Sequence, residues 1–531
     1  MPKLLKLLLI AAFFNALSWV VLIPVWQYPD EQAHFAQVQD VAELGHVPFS
    51  LNTSREIEFS EKVLGTERDS LGNNKFTYHP EYKIEYSADS NVSFEDVIRN
   101  LPKTARSELV KHEATQNPPL YYFLGSIVYK IFYNSDLFTR VFAVRMMSLI
   151  IFLATIYLSY KIGIIIFKNN KFLSIVLASL VTFKPMLVFS STGVLPDALT
   201  NLFFTAIIFL SLEILQEGLK KKYLIGFFAI LIAGVMTRQH FLLVIPVILI
   251  PLTLRTIRTE NGWKSLTIFL WSSIALVILA TLYGTKIPLV SSFRIQEFTS
   301  IKFSQFSWPE LSNHLSQVLS QFYKETFVWY WGVYKWLSLT LPLIYYRLIK
   351  FILIISLVGV FIKFYKGVKR KKLDFELLYL VHFILSSIFY LLIFVVWDYF
   401  FSKSSGYSFG LQGRYFFPLI VIHLAILLYG AREVINLLVK KYAKYATLTI
   451  VVLMIIFNDL SLFHVSSSYY DLSSANAFVF QTSLYKPLLF KGNIILTILA
   501  LNFILQLFLL INMFQCAIGE TNQKNNTLAK N

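Results

Sequence analysis

Three things are scarce in this sequence: cysteine, acidic residues, and polar stretches able to fold alone in water. Cys516 is the single cysteine of 531 residues, which excludes an intramolecular disulfide and a cysteine-based zinc site. No Gly-rich nucleotide loop is present, which argues against an ATP-driven transporter. Only 15% of residues are charged, and no segment reads as a separate soluble catalytic domain. Acids are outnumbered, 31 Asp and Glu against 48 Lys and Arg, for a net charge of +17.

What is abundant is apolar surface: 56% hydrophobic and 16% aromatic residues. Apolar runs long enough to cross a hydrocarbon core of about 30 Å recur along the chain. Twelve spans are expected, near 4–25, 139–167, 172–192, 197–216, 223–237, 240–254, 264–286, 347–365, 375–397, 414–432, 446–464 and 490–514. Lys3 and Lys6 precede the first, but no small-residue cleavage site follows it, so it reads as an uncleaved helix. The fold class is all-α: a polytopic membrane protein with a large exterior first loop that contains interfacial helices.

The positive charge is a topology signal. Lys168 and Lys171, Lys220 to Lys222, Arg255 and Arg258, Lys366 to Lys372, and Lys440, Lys441 and Lys444 lie in short loops. With twelve spans and Lys3 inside, all of these fall on the cytoplasmic side. Loop 26–117 carries sixteen acids against nine bases and falls outside. Nucleic acid is therefore not an expected partner. Residues 118–133, opened by Pro118-Pro119, read as an interfacial helix, since a span there would invert every later loop. Residues 1–514 form one membrane domain with a second exterior loop at 287–346, and 515–531 a short disordered cytoplasmic tail. Both termini are expected in the cytoplasm.

Candidate chemistry gathers at exterior span ends. In Pro29-Asp30-Glu31-Gln32-Ala33-His34-Phe35 two acids follow the first span, and a helix there puts Asp30, His34 and Gln37 on one face. Helix-dipole complementation is the plain alternative for the acids, worth about 0.3–1 kcal/mol. Asp197 stands at another exterior end after Pro196, a pattern that also caps helices. Arg238 and His240 occupy a turn between two short spans, and Arg414 opens a span in Gln412-Gly413-Arg414-Tyr415-Phe416. Arginine suits phosphate because its planar fork donates to two oxygens, although interfacial arginines also snorkel. The run Phe327 to Trp336 reads as an aromatic belt or as a wall for sugar or lipid. His46, His79 and His112 have no metal-ligand spacing.

Taken in order, these features resemble the GT-C glycosyltransferases, membrane enzymes that use polyprenyl-phosphate-linked sugars. The resemblance runs through Asp30-Glu31, Asn117-Pro118-Pro119-Leu120-Tyr121-Tyr122, Arg140 and Arg145, Lys184-Pro185-Met186 and Pro196-Asp197. The Asp30 motif together with Gln412-Gly413-Arg414-Tyr415-Phe416-Phe417-Pro418 is similar to a largely uncharacterised bacterial membrane-protein family in that clan. Asn117 departs from the charged or histidine residue that many clan members carry there.

The resemblance implies that the first acid is the catalytic base and that the spans cradle the lipid carrier; with the exterior face given by the charge pattern, a hexosyl- or pentosyltransferase of the bacterial plasma membrane is expected. Asp30 would be the catalytic base, with Glu31 or His34 orienting it or the acceptor. Asp197, Arg238, His240, Arg414 and Tyr415 would bind substrate, the two arginines at the leaving phosphate. The donor is a polyprenyl-phosphate sugar, and the acceptor a glycan, lipid or protein. No cofactor is required; where a divalent metal such as Mg or Mn takes part, Asp30, Glu31 and Asp197 offer oxygen ligands. A polysaccharide polymerase or ligase and a non-enzymatic transporter of lipid-linked glycans are the alternative classes.

Overall fold

Within lipid a chain must satisfy its own backbone, and helices do so locally. The computed structural model describes residues 3–46, 52–69, 72–84, 88–110, 117–258, 263–264, 266–272, 306–369, 374–406, 408 and 410–528. Its first nine helices are α1 Lys3–Leu22, α2 Glu31–Leu44, α3 Arg55–Leu64, α4 Ala88–Arg99, α5 Leu120–Ile131, α6 Leu137–Ile166, α7 Lys171–Thr182, α8 Pro185–Thr192 and α9 Asp197–Glu217. The later long helices are Leu343–Lys369, Phe375–Ser405, Ile420–Leu438, Ala443–Tyr469 and Ile494–Leu528.

Among the described residues, eight helices are long and apolar enough to cross a membrane, nine if α7 and α8 form one broken span bent by 63°. The bend falls at Pro185, which cannot donate to the preceding turn. The described residues do not reach the expected count of twelve. The expected spans at 223–237 and 240–254 correspond to Lys221–Val235, of 15 residues, and to the turn Gln239–Val244 continued by Ile245–Arg258, and neither is among the eight. The span at 264–286 lies mostly outside the described residues, as does 287–305 of the second expected loop. Helix α5 has 12 residues, about 18 Å, too short to cross. The last helix runs to Leu528, through most of the segment expected as a disordered tail.

Side-chain caps define several starts. Asp136 accepts from the Thr139 N–H at 2.8 Å to begin α6, and Asn170 from the Leu173 N–H at 3.0 Å to begin α7. Helices Leu343–Lys369 and Ile420–Leu438 cross closely at Gly359 and Gly430, where a Cβ on either would meet the other helix's backbone at 1.9 Å. That is how small residues let membrane helices approach. The first loop folds on the helices through ion pairs: Glu56 with Arg140, Arg99 with Asp136 at the start of α6, and Glu95 with Lys491. Two-residue strands Thr53–Ser54 and Leu109–Val110 pair antiparallel within it, and Val333–Tyr334 pairs with Leu339–Thr340.

Candidate active site

After α1 ends at Leu22, the chain turns twice through left-handed backbone, at Trp26 (φ 64°) and Asp30 (φ 57°). Asp30 sits at the N-cap of α2, yet its side chain makes no capping hydrogen bond. It is held instead between two guanidinium groups: Arg68 Nη1 donates to Oδ1 at 2.7 Å and Arg414 Nη2 to Oδ2 at 3.1 Å. The Asp30 side chain remains 33% exposed, so it is reachable from a cavity. Desolvation works against its ionisation, but Arg414 and Arg68 more than offset this and hold the carboxyl well below the ordinary carboxylate range. Helix-dipole capping does not account for this arrangement.

Glu31 is placed differently from the catalytic partner the sequence suggested. Neither Glu31 nor Arg145 has any exposed side-chain surface. Arg145 donates from Nε to Oε1 at 2.8 Å and from Nη2 to Oε2 at 2.6 Å. The N–H groups of Val194 and Trp26 complete the set at 3.2 and 3.1 Å. Arg145 also donates to the carbonyls of Val20, Ile23 and Pro24. Both Glu31 oxygens are therefore engaged in tying α1, α6 and the α8–α9 link together. The Glu31 carboxylate accepts four hydrogen bonds, two from Arg145 and one each from the Val194 and Trp26 N–H groups.

His34 lies one helical turn beyond Asp30, its Nδ1 2.8 Å from the Tyr122 hydroxyl of α5. Burial, and then the positive field of Arg238, pull its pKa down to about 3, so the imidazole is neutral at physiological pH. Gln37, on the same face, exchanges hydrogen bonds with the Asn117 backbone. Asp197, first residue of α9, pairs with Arg238 at 2.5 Å. The backbone of His240 lies in the turn Gln239–Val244 after Arg238, while its side chain is outside what the structure describes.

Arg414 follows Gly413, where a Cβ would come within 2.1 Å of the Tyr330 backbone nitrogen. Only glycine permits that approach, and it seats Arg414 beside Asp30. Arg414 borders two cavities. The inner one is lined by Asp197, Asn201, Arg238, Tyr390, Arg414 and Tyr415 among others. It has an unusual polar inventory. Arg414 Nε and Nη1, Arg238 Nε, Asn201 Nδ2 and Asp197 Oδ2 are buried without a hydrogen-bond partner among the described residues. Buried polar atoms left so cost free energy unless something fills the space. The outer cavity is lined by Asp30, Arg68, Lys335, Trp336, Gln412 and Arg414 among others.

The structure thus brings together Asp30, His34, Asp197, Arg238, Arg414 and Tyr415, and sets Glu31 apart as a support. Sequence reasoning missed Arg68, one of nine bases in an acidic loop with no motif around it. It raised Trp336 only within an aromatic run. Metal ligation by Asp30, Glu31 and Asp197 does not fit: each carboxylate faces arginine. Among the described residues no three His, Cys, Asp or Glu side chains converge to hold an ion.

These helices and this paired cavity define a multi-pass membrane protein with a charged pocket at its helix ends. The family described as "Predicted membrane protein (DUF2142)" matches residues 13–423, and the chain belongs to it. No curated protein matches the sequence. The Archaeoglobus fulgidus oligosaccharyltransferase in complex with Zn and sulfate is similar in structure at TM-score 0.47 and 12% identity, over 87% of this chain and 53% of that one. The archaeal oligosaccharyltransferase AglB with an inhibitory peptide and a dolichol-phosphate follows at TM-score 0.44 and 12% identity, over 88% and 56%. ArnT from Cupriavidus metallidurans bound to undecaprenyl phosphate gives TM-score 0.39 and 13% identity, over 89% and 75%. The chain spans about half the length of the archaeal protein, 53% in the zinc and sulfate complex.

Proposed function

We propose that this protein transfers a sugar from a polyprenyl-phosphate donor to an acceptor hydroxyl at the exterior face of a bacterial plasma membrane. The observation that carries the reading is the position of Asp30 and Arg414 at the boundary of two cavities, with spare buried donors on Arg414 and Arg238. The motif order noted in the sequence supports the same class. The lysine-rich loops, placed at the opposite helix ends, support an exterior site with both termini cytoplasmic.

In this reading the donor phosphate lies in the inner cavity, where the free N–H groups of Arg414 and Arg238 meet its oxygens. The acceptor hydroxyl enters from the outer cavity beside Asp30. Its oxygen attacks the anomeric carbon as the bond from that carbon to the phosphate oxygen breaks. Asp30 takes the hydroxyl proton, and the departing phosphate keeps the bonding pair. A single displacement inverts the anomeric centre. Arg414 and Arg238 stabilise the charge growing on the phosphate, an effect worth several kcal/mol in a dry site.

Asp30 clamped by two arginines is a weak base. A bound phosphate competes for Arg414, loosens that hold and raises the proton affinity of Asp30 when the substrate arrives. Neutral His34, hydrogen-bonded to Tyr122, orients the group beside it. Mass spectrometry of envelope glycans and lipid-linked sugars tests the reaction, comparing wild type, a deletion strain, and the deletion carrying Asp30→Asn. Loss of one sugar branch with accumulation of its polyprenyl donor is expected in the last two. An unchanged glycan profile in the deletion strain would sink the proposal.

A further inference from the structure

The outer cavity carries a charge pattern that base catalysis alone does not require. Among the described residues lining it, the cations are Arg68, Lys335 and Arg414, and the acid is Asp30. Even with Arg414 assigned to a donor phosphate, Arg68 and Lys335 outnumber Asp30. Lys335 has no exposed surface, and its Nζ donates to the Pro80 and Ser468 carbonyls at 3.3 and 3.4 Å. Carbonyls accept the hydrogen bonds but leave the charge uncancelled. Burial, then Lys83, pulls this ammonium down to about 8, with Glu81 acting in the opposite sense.

The wall around these cations suits a saccharide. Trp336, whose ring carries the Arg68 guanidinium at 5.5 Å, and Tyr78 line it as aromatic surface, and Asn73, Thr77 and Gln412 offer hydroxyl partners. The backbone is strained to place them: Lys335, Trp336 and Leu337 are left-handed in succession (φ 51°, 54° and 64°), as is Tyr78 (φ 61°). Non-glycine residues in such conformations persist where surrounding structure holds them, and they cluster at ligand sites. Here Trp336 Nε1 donates to the Trp26 carbonyl at 3.1 Å, and the Tyr78 N–H to the Trp336 carbonyl at 3.4 Å.

We infer that the outer cavity binds an acidic saccharide, one carrying a carboxylate or a phosphate ester, with its anionic group paired to Arg68 in the field of the buried Lys335 ammonium and a hydroxyl facing Asp30. That this saccharide is the acceptor rests on the transferase reading; that it binds does not.

The test is equilibrium binding to the full-length protein in lipid nanodiscs, without donor. Dye-labelled probes are a hyaluronan tetrasaccharide, its carboxyl-reduced neutral counterpart, and a phosphomannosyl disaccharide. At least one acidic probe is expected to bind ten times more tightly than the neutral one, and which one does so names the anionic group. Lys335→Gln should weaken that binding about tenfold without changing neutral-probe binding, and Lys335→Arg should restore it. An unchanged elution profile and melting temperature show that each variant folds. Equal affinity for the neutral probe, no binding of any probe, or displacement of the acidic probe by farnesyl phosphate would overturn the inference. Acidic binding without sugar transfer would fail only the proposed reaction, and efficient transfer to a neutral acceptor only this inference.

Discussion

Arg414 reaches Asp30 across 384 residues of sequence with one guanidinium nitrogen, while its Nε and Nη1 remain buried and unpartnered among the described residues. One arginine therefore serves the acid on one side and the polar lining of the inner cavity on the other.

Substituting Asp30→Asn keeps the size of the side chain and removes the base. Transfer should fall by about 10² to 10⁴-fold, measured in nanodiscs with saturating donor, while the melting temperature drops by less than for the fully buried Glu31, because the Asp30 side chain is 33% exposed. Activity within tenfold of wild type would remove Asp30 from the mechanism.

Glu31→Gln should behave in the opposite way, as a stability defect. It strands the Arg145 guanidinium, which has 0% exposure, without its counter-charge, and breaking such a pair costs about 3–5 kcal/mol. Thermal unfolding should show a far larger loss than for Asp30→Asn. A Glu31→Gln protein that melts like wild type but transfers no sugar would restore Glu31 to the chemistry.

Arg414→Lys retains the charge and loses the planar fork. The expected result is a rise in KM for the polyprenyl donor and a fall in kcat, together about 10- to 100-fold in kcat/KM. An unaltered kcat/KM would place the donor phosphate elsewhere. Gly413→Ala should mimic part of this from a distance, because its methyl must push Tyr330 or Arg414 aside.

His34 gives a pH signature. Its folded pKa, about 3, lies below the unfolded value near 6.5, so the unfolded chain binds the extra proton. The stability associated with neutral His34 is present above pH 6.5 and is lost as pH falls towards 3, by up to about 1.4 kcal/mol per unit. Asp40 acts with the opposite sign, since burial raises its carboxyl to about 7. Its folded pKa exceeds the unfolded value near 3.9, so it costs stability as pH rises from 4 to 7. Comparing His34→Gln with wild type isolates the histidine: unfolding at pH 7.5 and 5 should show less acid loss in the variant. Equal acid loss in both would mean that His34 is charged in the fold.

Asp30 and Arg414 were legible because each stands at the edge of an apolar run, where polar groups have little other reason to be. Arg145 and Glu31 were harder. A carboxylate beside a membrane reads as chemistry, and nothing local shows that its partner sits 114 residues away inside α6. Arg68 was invisible because a single base in an irregular loop has no periodicity to betray its direction. Lys221–Val235 and Ile245–Arg258 were legible from hydropathy, but not that the turn joining them docks at Arg238 against α5 and α9.

The Glu31–Arg145 pair also bears on how the protein is made. During synthesis Glu31 leaves the ribosome well before Arg145, and Val194, which donates to the same carboxylate, comes later still. Until α6 has been inserted the acid is stranded at the end of α1, and a charge without its partner at the membrane is costly. Assembly is therefore completed only when the α8–α9 link arrives, and variants that break the pair should be cleared by membrane proteases before their catalytic capacity matters.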